Sequence, residues 1–339
     1  MSLSVLMIFV DGVGLGPADP RRNPLAAVPM PVIRELTGGR PLVASSAENP
    51  GEGPGLTDAF PAADGRPAGA EAPPARRPAR LVAVDACLGV PGLPQSATGQ
   101  TTLLTGVNAA QALGRHLSGL PTETLVDILA RHSLFKQLKD AGLSATFANP
   151  FTDDYFKAVA AGKWRHSSTT TAVLSAGMPV RMLDDLLAGR AVFHDVTGRE
   201  LVRRGHDVPV VTPEEAGRRL AALAEEYDFT LFEHFLTDFA GHARDREEAE
   251  RLLTMLDAFL GAVLEHVDLS KTTVMLISDH GNVEDLSVKT HTRNPVPGLF
   301  AGAGRDWFAG AIRSLTDVTP AIVGWLTGGG RGAGGRSRR

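Results

Sequence analysis

Val5-Leu-Met-Ile-Phe-Val10 is a short apolar run rich in Val, Ile and Phe that stops at Asp11-Gly12, which predicts a buried strand over residues 3–10. Two later runs also end at an aspartate. They are Phe229-Thr-Leu-Phe-Glu-His-Phe-Leu-Thr237 before Asp238, and Thr273-Val-Met-Leu-Ile-Ser278 before Asp279. Between the runs, Glu123–Gly142 reads as helical and Ser144–Ala148 as a short strand. Thr212-Pro213-Glu214-Glu215 is a helix start, with a threonine cap, proline in the first turn and glutamate at the capping-box position. That helix runs to about Glu226 and leads into a strand ending at Asp238. A longer helix follows, with Leu252, Leu253, Leu256, Phe259, Leu260, Val263 and Leu264 spaced for one buried face. Alternating strands and helices predict an α/β fold, a mainly parallel sheet with helices on both faces. Ligands bind at the carboxyl ends of such strands, so the three aspartates converge on one site.

Three stretches break the rhythm. Residues 38–80 are crowded with Gly, Pro, Ala and Arg and cannot bury enough apolar surface to offset their ordering entropy, so a mobile insertion is expected. Residues 151–210 mix Ser167-Ser-Thr-Thr-Thr171, Arg190, His194 and Arg203-Arg204-Gly205-His206 with short apolar pieces, which predicts a small inserted cap or lid. Residues 328–339 read as a disordered tail. The core is thereby assigned to residues 1–150 and 211–327.

The 339 residues, 43% of them hydrophobic, suffice for a large core plus a second smaller unit. A net charge of −4 gives no global attraction to nucleic acid or to an anionic membrane. Cys87 is the one cysteine, so neither an intrachain disulfide nor a thiolate zinc cluster can form within one chain. Any metal must therefore use oxygen and imidazole ligands. The opening MSLSVLMIFVDG has no basic leader and too short an apolar run for a signal peptide or membrane span, so a cytoplasmic protein is expected.

The glycines after Asp11 do not make a dinucleotide loop, because Pro17-Ala-Asp-Pro20 follows and no helix opens there. A lone Asp is usually a helix cap, and a lone His is usually on the surface or satisfied in the core. The combination of Asp11, Asp238, His242, Asp279, His280 and His291 is different: three carboxylates and three imidazoles suit two adjacent divalent ions. That ligand chemistry accepts zinc or manganese, whereas an all-oxygen cage would favour magnesium or calcium. Ser96, in Pro94-Gln-Ser-Ala-Thr-Gly-Gln100, precedes a helix expected from about Thr98. There its hydroxyl would be a helix cap, or a nucleophile beside N–H groups that attract phosphate, activated by a divalent ion.

Asp279-His-Gly-Asn-Val-Glu284 resembles the DHGN-(A/V)-E motif of the cofactor-independent phosphoglycerate mutase branch of the alkaline phosphatase superfamily. His291-Thr-Arg-Asn-Pro-Val-Pro297 resembles that branch's HTxNPVP motif. Val10-Asp11-Gly12, Asp238-x-x-Gly241-His242 and Leu315-Thr-Asp317-Val-Thr-Pro320 match the superfamily's other elements. The resemblance covers roughly residues 1–20, 85–150 and 212–327. It implies that Asp238, His242 and His291 bind one metal, and that Asp11, Asp279, His280 and the Ser96 hydroxyl bind the other. It also implies Ser96 as nucleophile, since Thr105-Gly106 stands nine residues on, as in several branches.

Two departures stand out. The mutase branch carries its nucleophile in N-S-E-V-G-H, whereas Gln95-Ser-Ala-Thr-Gly-Gln100 lacks the glutamate and histidine. The mutases also insert a large arginine-bearing domain, for which the irregular segment of about 60 residues leaves little room. The expected function is hydrolysis of a small phosphorylated substrate through a phosphoserine, with two ions, Mn2+ or Zn2+. Arg115 and His116, in Gly114-Arg-His-Leu-Ser-Gly119, are candidates to grip substrate phosphate, or else a surface turn after a helix. A phosphomutase, returning the phosphate to another hydroxyl, is the second reading. A non-catalytic metal-binding scaffold is the third, though a scaffold needs neither the ligand set nor the serine.

Overall fold

The computed structural model describes residues 3–47 and 79–328. Its strands are β1 (Ser4–Val10), β2 (Ala79–Val84), β3 (Ala145–Phe147), β4 (Pro150–Phe151), β5 (Arg181–Met182), β6 (Phe229–His234), β7 (Thr272–Ile277) and β8 (Val296–Gly302). Six of them form the main sheet in the order β2-β8-β7-β1-β6-β3. Only β8 among these runs against the others, pairing antiparallel with both β7 and β2. The mainly parallel α/β sheet read from the sequence is therefore present.

Alternation along β1 explains the layers. Leu6, Ile8 and Val10 point into one apolar cluster, while Val5, Met7 and Phe9 point into the other. Helices Pro213–Ala224 and Arg246–His266 cover the first face. Their buried residues include every leucine, valine and phenylalanine of the expected stripe from Leu252 to Leu264. Helices Ser96–Thr105, Glu123–His132, Leu134–Asp140, Ser168–Ser175 and Leu315–Leu326 cover the second face. Thr212 caps its helix as expected, accepting the Glu215 N–H. The Glu215 carboxylate, however, pairs with Arg218 and Arg219.

The irregular stretches divide differently from their composition. Of the insertion expected over 38–80, residues 48–78 lie outside the described residues, as do 329–339 of the expected tail. The described flanks are structured. Leu42 and Val43 are buried, and Ala79 and Arg80 open β2 in register with Ala301 and Phe300 of β8. Within 151–210, helix Ser168–Ser175 puts Ala172 and Val173 into the second apolar cluster, and the small parallel pair of β4 and β5 sits beside the main sheet. Among the described residues no helix is long and apolar enough to cross a membrane.

Candidate metal centre

The parallel strands deliver their aspartates to one end of the sheet. Asp11 follows β1 directly, and its N–H donates to His234 O at the end of β6 (2.8 Å). Gly12 then takes a positive φ of 72°, which turns the chain tightly against Asp238. Asp279 and His280 leave β7 after Ser278. Asp238 corrects the sequence reading: β6 stops at His234, and Asp238 lies in the first turn of helix Leu236–Ala243. With His242 four residues on, both side chains share one helix face. His291 arrives from the loop before β8. Because β8 runs backwards, its start lies where the parallel strands end.

These six residues and Ser96 come together. His280 Nε2 lies 3.2 Å from Asp11 Oδ1, 3.5 Å from Asp279 Oδ2 and 3.0 Å from Ser96 Oγ. Asp238 Oδ2 lies 3.4 Å from His242 Nε2, and its Oδ1 lies 3.6 Å from His291 Nε2. The two imidazole Nε2 atoms of His242 and His291 are 3.0 Å apart, and the His280 and His291 rings stack with centroids 3.7 Å apart. Two sets, Asp11–Asp279–His280 and Asp238–His280–His291, have donor atoms close enough to hold an ion each. His242 adds a further donor to the second.

The donor chemistry fits cations. His242 Nδ1 donates to Lys289 O and His291 Nδ1 to Pro94 O, which fixes both protons away from the centre and leaves each Nε2 a lone pair. His280 Nδ1 has no such acceptor among the described residues. Asp11 Oδ1 and Asp279 Oδ2 are buried without a hydrogen-bond donor, an arrangement that costs free energy unless a positive charge compensates. Their other oxygens are held: Gln100 Nε2 donates to Asp11 Oδ2 (3.1 Å) and Gly12 N to Asp279 Oδ1 (3.5 Å). Asn282 Nδ2 does the same for Asp238 Oδ1 at 2.6 Å.

Electrostatics agree with that geometry. Burial, followed by the charges of Asp238 and Glu233, pushes the Asp11 carboxyl well above the usual carboxylate range. Burial and then the Asp11 charge raise Asp279 likewise. Burial, and next the neighbouring His280, bring His291 down to about 4. The site thus disfavours bare carboxylates and favours a neutral His291 imidazole. His242 is its open side, with a side chain 44% exposed against 3% for His291 and 0% for His280.

Ser96 is the first residue of helix Ser96–Thr105, not its cap; Gln95 occupies the cap position and makes no side-chain cap bond. The serine hydroxyl is therefore turned to His280. Gly99, one turn on, lets this helix press against the ligand loop, since a Cβ there would stand 2.9 Å from Asp279 O. Every residue of the helix after Ser96 is buried, including four threonines. Thr101, Thr102 and Thr105 donate their hydroxyls to carbonyls four residues back, and Thr98 donates to Gln95 O.

Two residues near the centre carry no motif. Gln100, four residues after Ser96, shares its helix face, and that spacing is the signal that could have found it. Glu233, at the end of β6, is buried and lifted to about 7 by that burial. Its backbone N–H donates to Asn149 Oδ1, and its carbonyl accepts from Asn149 Nδ2. The Arg115-His116 pair directly precedes Leu117, whose backbone N–H and carbonyl bond Thr98 at the start of the Ser96 helix. His116 Nε2 donates to Cys87 O and Val90 O, while Arg115 is exposed; among the described residues neither makes a polar contact with the seven-residue cluster.

Comparison with known proteins follows the same segments. Residues 206–326 match the family model described as the metalloenzyme superfamily. The chain is 34% identical over 127 residues to a 2,3-bisphosphoglycerate-independent phosphoglycerate mutase of Desulforudis audaxviator, covering 35% of this chain and 24% of that one. It is 30% identical over 114 residues to the enzyme of the same name from Pyrococcus abyssi, covering 30% and 27%. The matched stretch thus spans about a quarter of the length of these relatives. A solved protein of Pyrococcus horikoshii shares the fold over 99% of both chains, with a TM-score of 0.54 and 15% identity.

Proposed function

We propose that this protein is a two-metal phosphoryl-transfer enzyme of the metalloenzyme superfamily that hydrolyses a small phosphate ester through a phosphoserine at Ser96. The observation that carries this reading is the Ser96 hydroxyl 3.0 Å from His280 Nε2, at a helix start and beside two candidate ion sites. Asp238, His242 and His291 would hold one divalent ion, and Asp11, Asp279, His280 and Ser96 Oγ the other, as Mn2+ or Zn2+. When bound, such a pair lowers the pKa of a hydroxyl and neutralises charge on a phosphoryl group.

The chain's own groups do the rest. Ser96 Oγ attacks phosphorus and its proton passes through solvent to the ester oxygen, whose bond to phosphorus breaks, so that the alcohol leaves neutral. A water then attacks phosphorus, one of its protons passing to Oγ as the Oγ–P bond breaks, which restores the serine as inorganic phosphate departs. At the start of the helix Thr98 N donates to Leu117 O and Gly99 N to Gln95 O. Ser96 N and Ala97 N are the first-turn amides with no such acceptor among the described residues, placed to bind phosphoryl oxygens. Residues 151–210 would act as the cap that limits water.

The matched relatives' name favours a second reading, a mutase in which the phosphoserine returns its phosphate to another hydroxyl of a retained substrate. A panel of phosphoglycerates, pentose phosphates and an aryl phosphate, assayed with Mn2+ and with Zn2+, separates the two. Release of inorganic phosphate is expected; isomer formation without it would overturn hydrolysis. Ser96→Ala should abolish turnover while bound metal persists, and unchanged turnover would remove Ser96 from the reaction.

A further inference from the structure

Glu284 is fully buried, hydrogen-bonds to none of the six candidate ligands or Ser96 among the described residues, and yet bonds three of the four segments that carry the six ligands. Its Oε2 accepts Gly14 N (3.0 Å) and Asn282 N (2.7 Å); its Oε1 accepts Asn294 Nδ2 (3.0 Å) and the Thr292 hydroxyl. Gly14 lies three residues after Asp11, Asn282 two after His280, and Thr292 and Asn294 one and three after His291. The fourth segment is reached through one intermediary: Asn282, whose N–H Glu284 holds, donates its side-chain amide to Asp238 Oδ1 and Asp238 O.

We propose that Glu284 is the positioning residue that sets the spacing of both ion sites, a role that rests on the two-metal reading above. A carboxylate suits this place because all four partners donate and none is a cation, so the anion is satisfied by hydrogen bonds alone. Glutamine would match its volume and invert part of its chemistry, presenting an amide N–H₂ to at least one donor. The surrounding glycines fit the same role. A Cβ on Gly14 or on Gly281 would overlap Glu284 Oε1, and one on Gly16 would stand 2.8 Å from Glu284 Cγ. The backbone of two ligand loops is thereby drawn directly onto the carboxylate, with no side chain between.

Loss of a group that orients ligands costs roughly 10- to 100-fold in metal affinity. The test is Mn2+ titration by calorimetry of metal-stripped protein, with thermal unfolding of the same metal-free samples. Wild type should bind two ions; binding of none would end the two-metal reading itself. Glu284→Gln should weaken both ions at least tenfold. Thr292→Val removes one donor on the His291 side only, and should weaken one ion about tenfold while the other binds as in wild type. If Glu284→Gln, or Thr292→Val should the glutamine variant not fold, binds two ions with wild-type affinity while only its metal-free melting temperature falls, Glu284 is structural and the proposal is overturned.

Discussion

His242 Nε2 faces His291 Nε2 across 3.0 Å, and each ring spends its Nδ1 proton on a backbone carbonyl. With each Nδ1 proton so spent, the two Nε2 atoms turn lone pairs toward each other. A cation between them converts a repulsion into two bonds. His242→Leu should therefore leave the melting temperature of metal-free protein unchanged or raise it, and lower that of metal-loaded protein. Ligand at about a hundred times its dissociation constant stabilises by about 2.7 kcal/mol, which sets the size of the loaded effect. Equal losses with and without metal, in scanning calorimetry, would refute the pairing.

Gln100 controls the other site through Asp11. Its amide occupies Asp11 Oδ2, so that Oδ1 is the oxygen turned to His280. Gln100→Leu should reduce Mn2+ affinity roughly tenfold or more. Gln100→Glu should act through charge, because a carboxyl placed against Asp11 and near Asp279, both already raised, makes deprotonation harder. The pH midpoint for metal loading should then move upward. A midpoint equal to wild type counts against the contact.

Asp257 tests the fold apart from the site. Buried on helix Arg246–His266, it accepts Val32 N (3.1 Å) and Ile33 N (2.8 Å), and so caps helix Pro31–Leu36, whose own cap residue Met30 makes no side-chain bond. Asp257→Ala should cost about 2 kcal/mol in denaturant unfolding and leave the metal content intact. A variant as stable as wild type would show that the two amides find other acceptors.

Acid sensitivity should reside partly in His194 and His234. Burial, then the neighbouring His234 and Arg204, hold His194 at about 3; burial holds His234 at about 4. Both lie below the unfolded value of 6.5, so the unfolded chain binds more protons in between. Their contribution is complete above pH 6.5 and is lost as pH falls through 4. Glu233, raised to about 7, acts oppositely: its penalty is absent below the unfolded value of 4.5 and grows as pH rises to 7. His194→Phe isolates one share, since the ring already packs between Phe193 and Phe235. Metal-free His194→Phe should lose about 3 kcal/mol less than wild type between pH 6.5 and 4. Parallel curves would contradict this.

Legibility followed local pattern. Asp11 and Asp279 were readable because each ends an unbroken apolar run, and a run that long names its own strand. Asp238 was expected at the end of a strand and lies instead in a helix, since Phe235-Leu-Thr237 prolongs the apolar run past the true strand end. The four-residue step to His242 is the helical signature that outranks it. β8 was hidden by Pro297 and Gly298, residues that weaken a strand, and β2 by the Pro- and Arg-rich stretch before it. Gln100 and Glu233 escaped because their importance lies in partners 89 positions away for one and in burial for the other. His116 carries a structural use that its sequence setting does not announce, since its imidazole ties down two loop carbonyls.

The threonines of helix Ser96–Thr105 have a consequence for how this site can diversify. Their hydroxyl donors end on the helix's own backbone or on Gln95, and their spare lone pairs take Ala109 N and Leu117 N from the loop that follows. The hydroxyl demands of the buried threonines are met within residues 95–117. Side chains packed against these threonines need supply only shape. Neighbouring segments can therefore be rebuilt while Ser96 keeps its register, so that under the proposed reaction substrate preference and the placement of the serine vary independently.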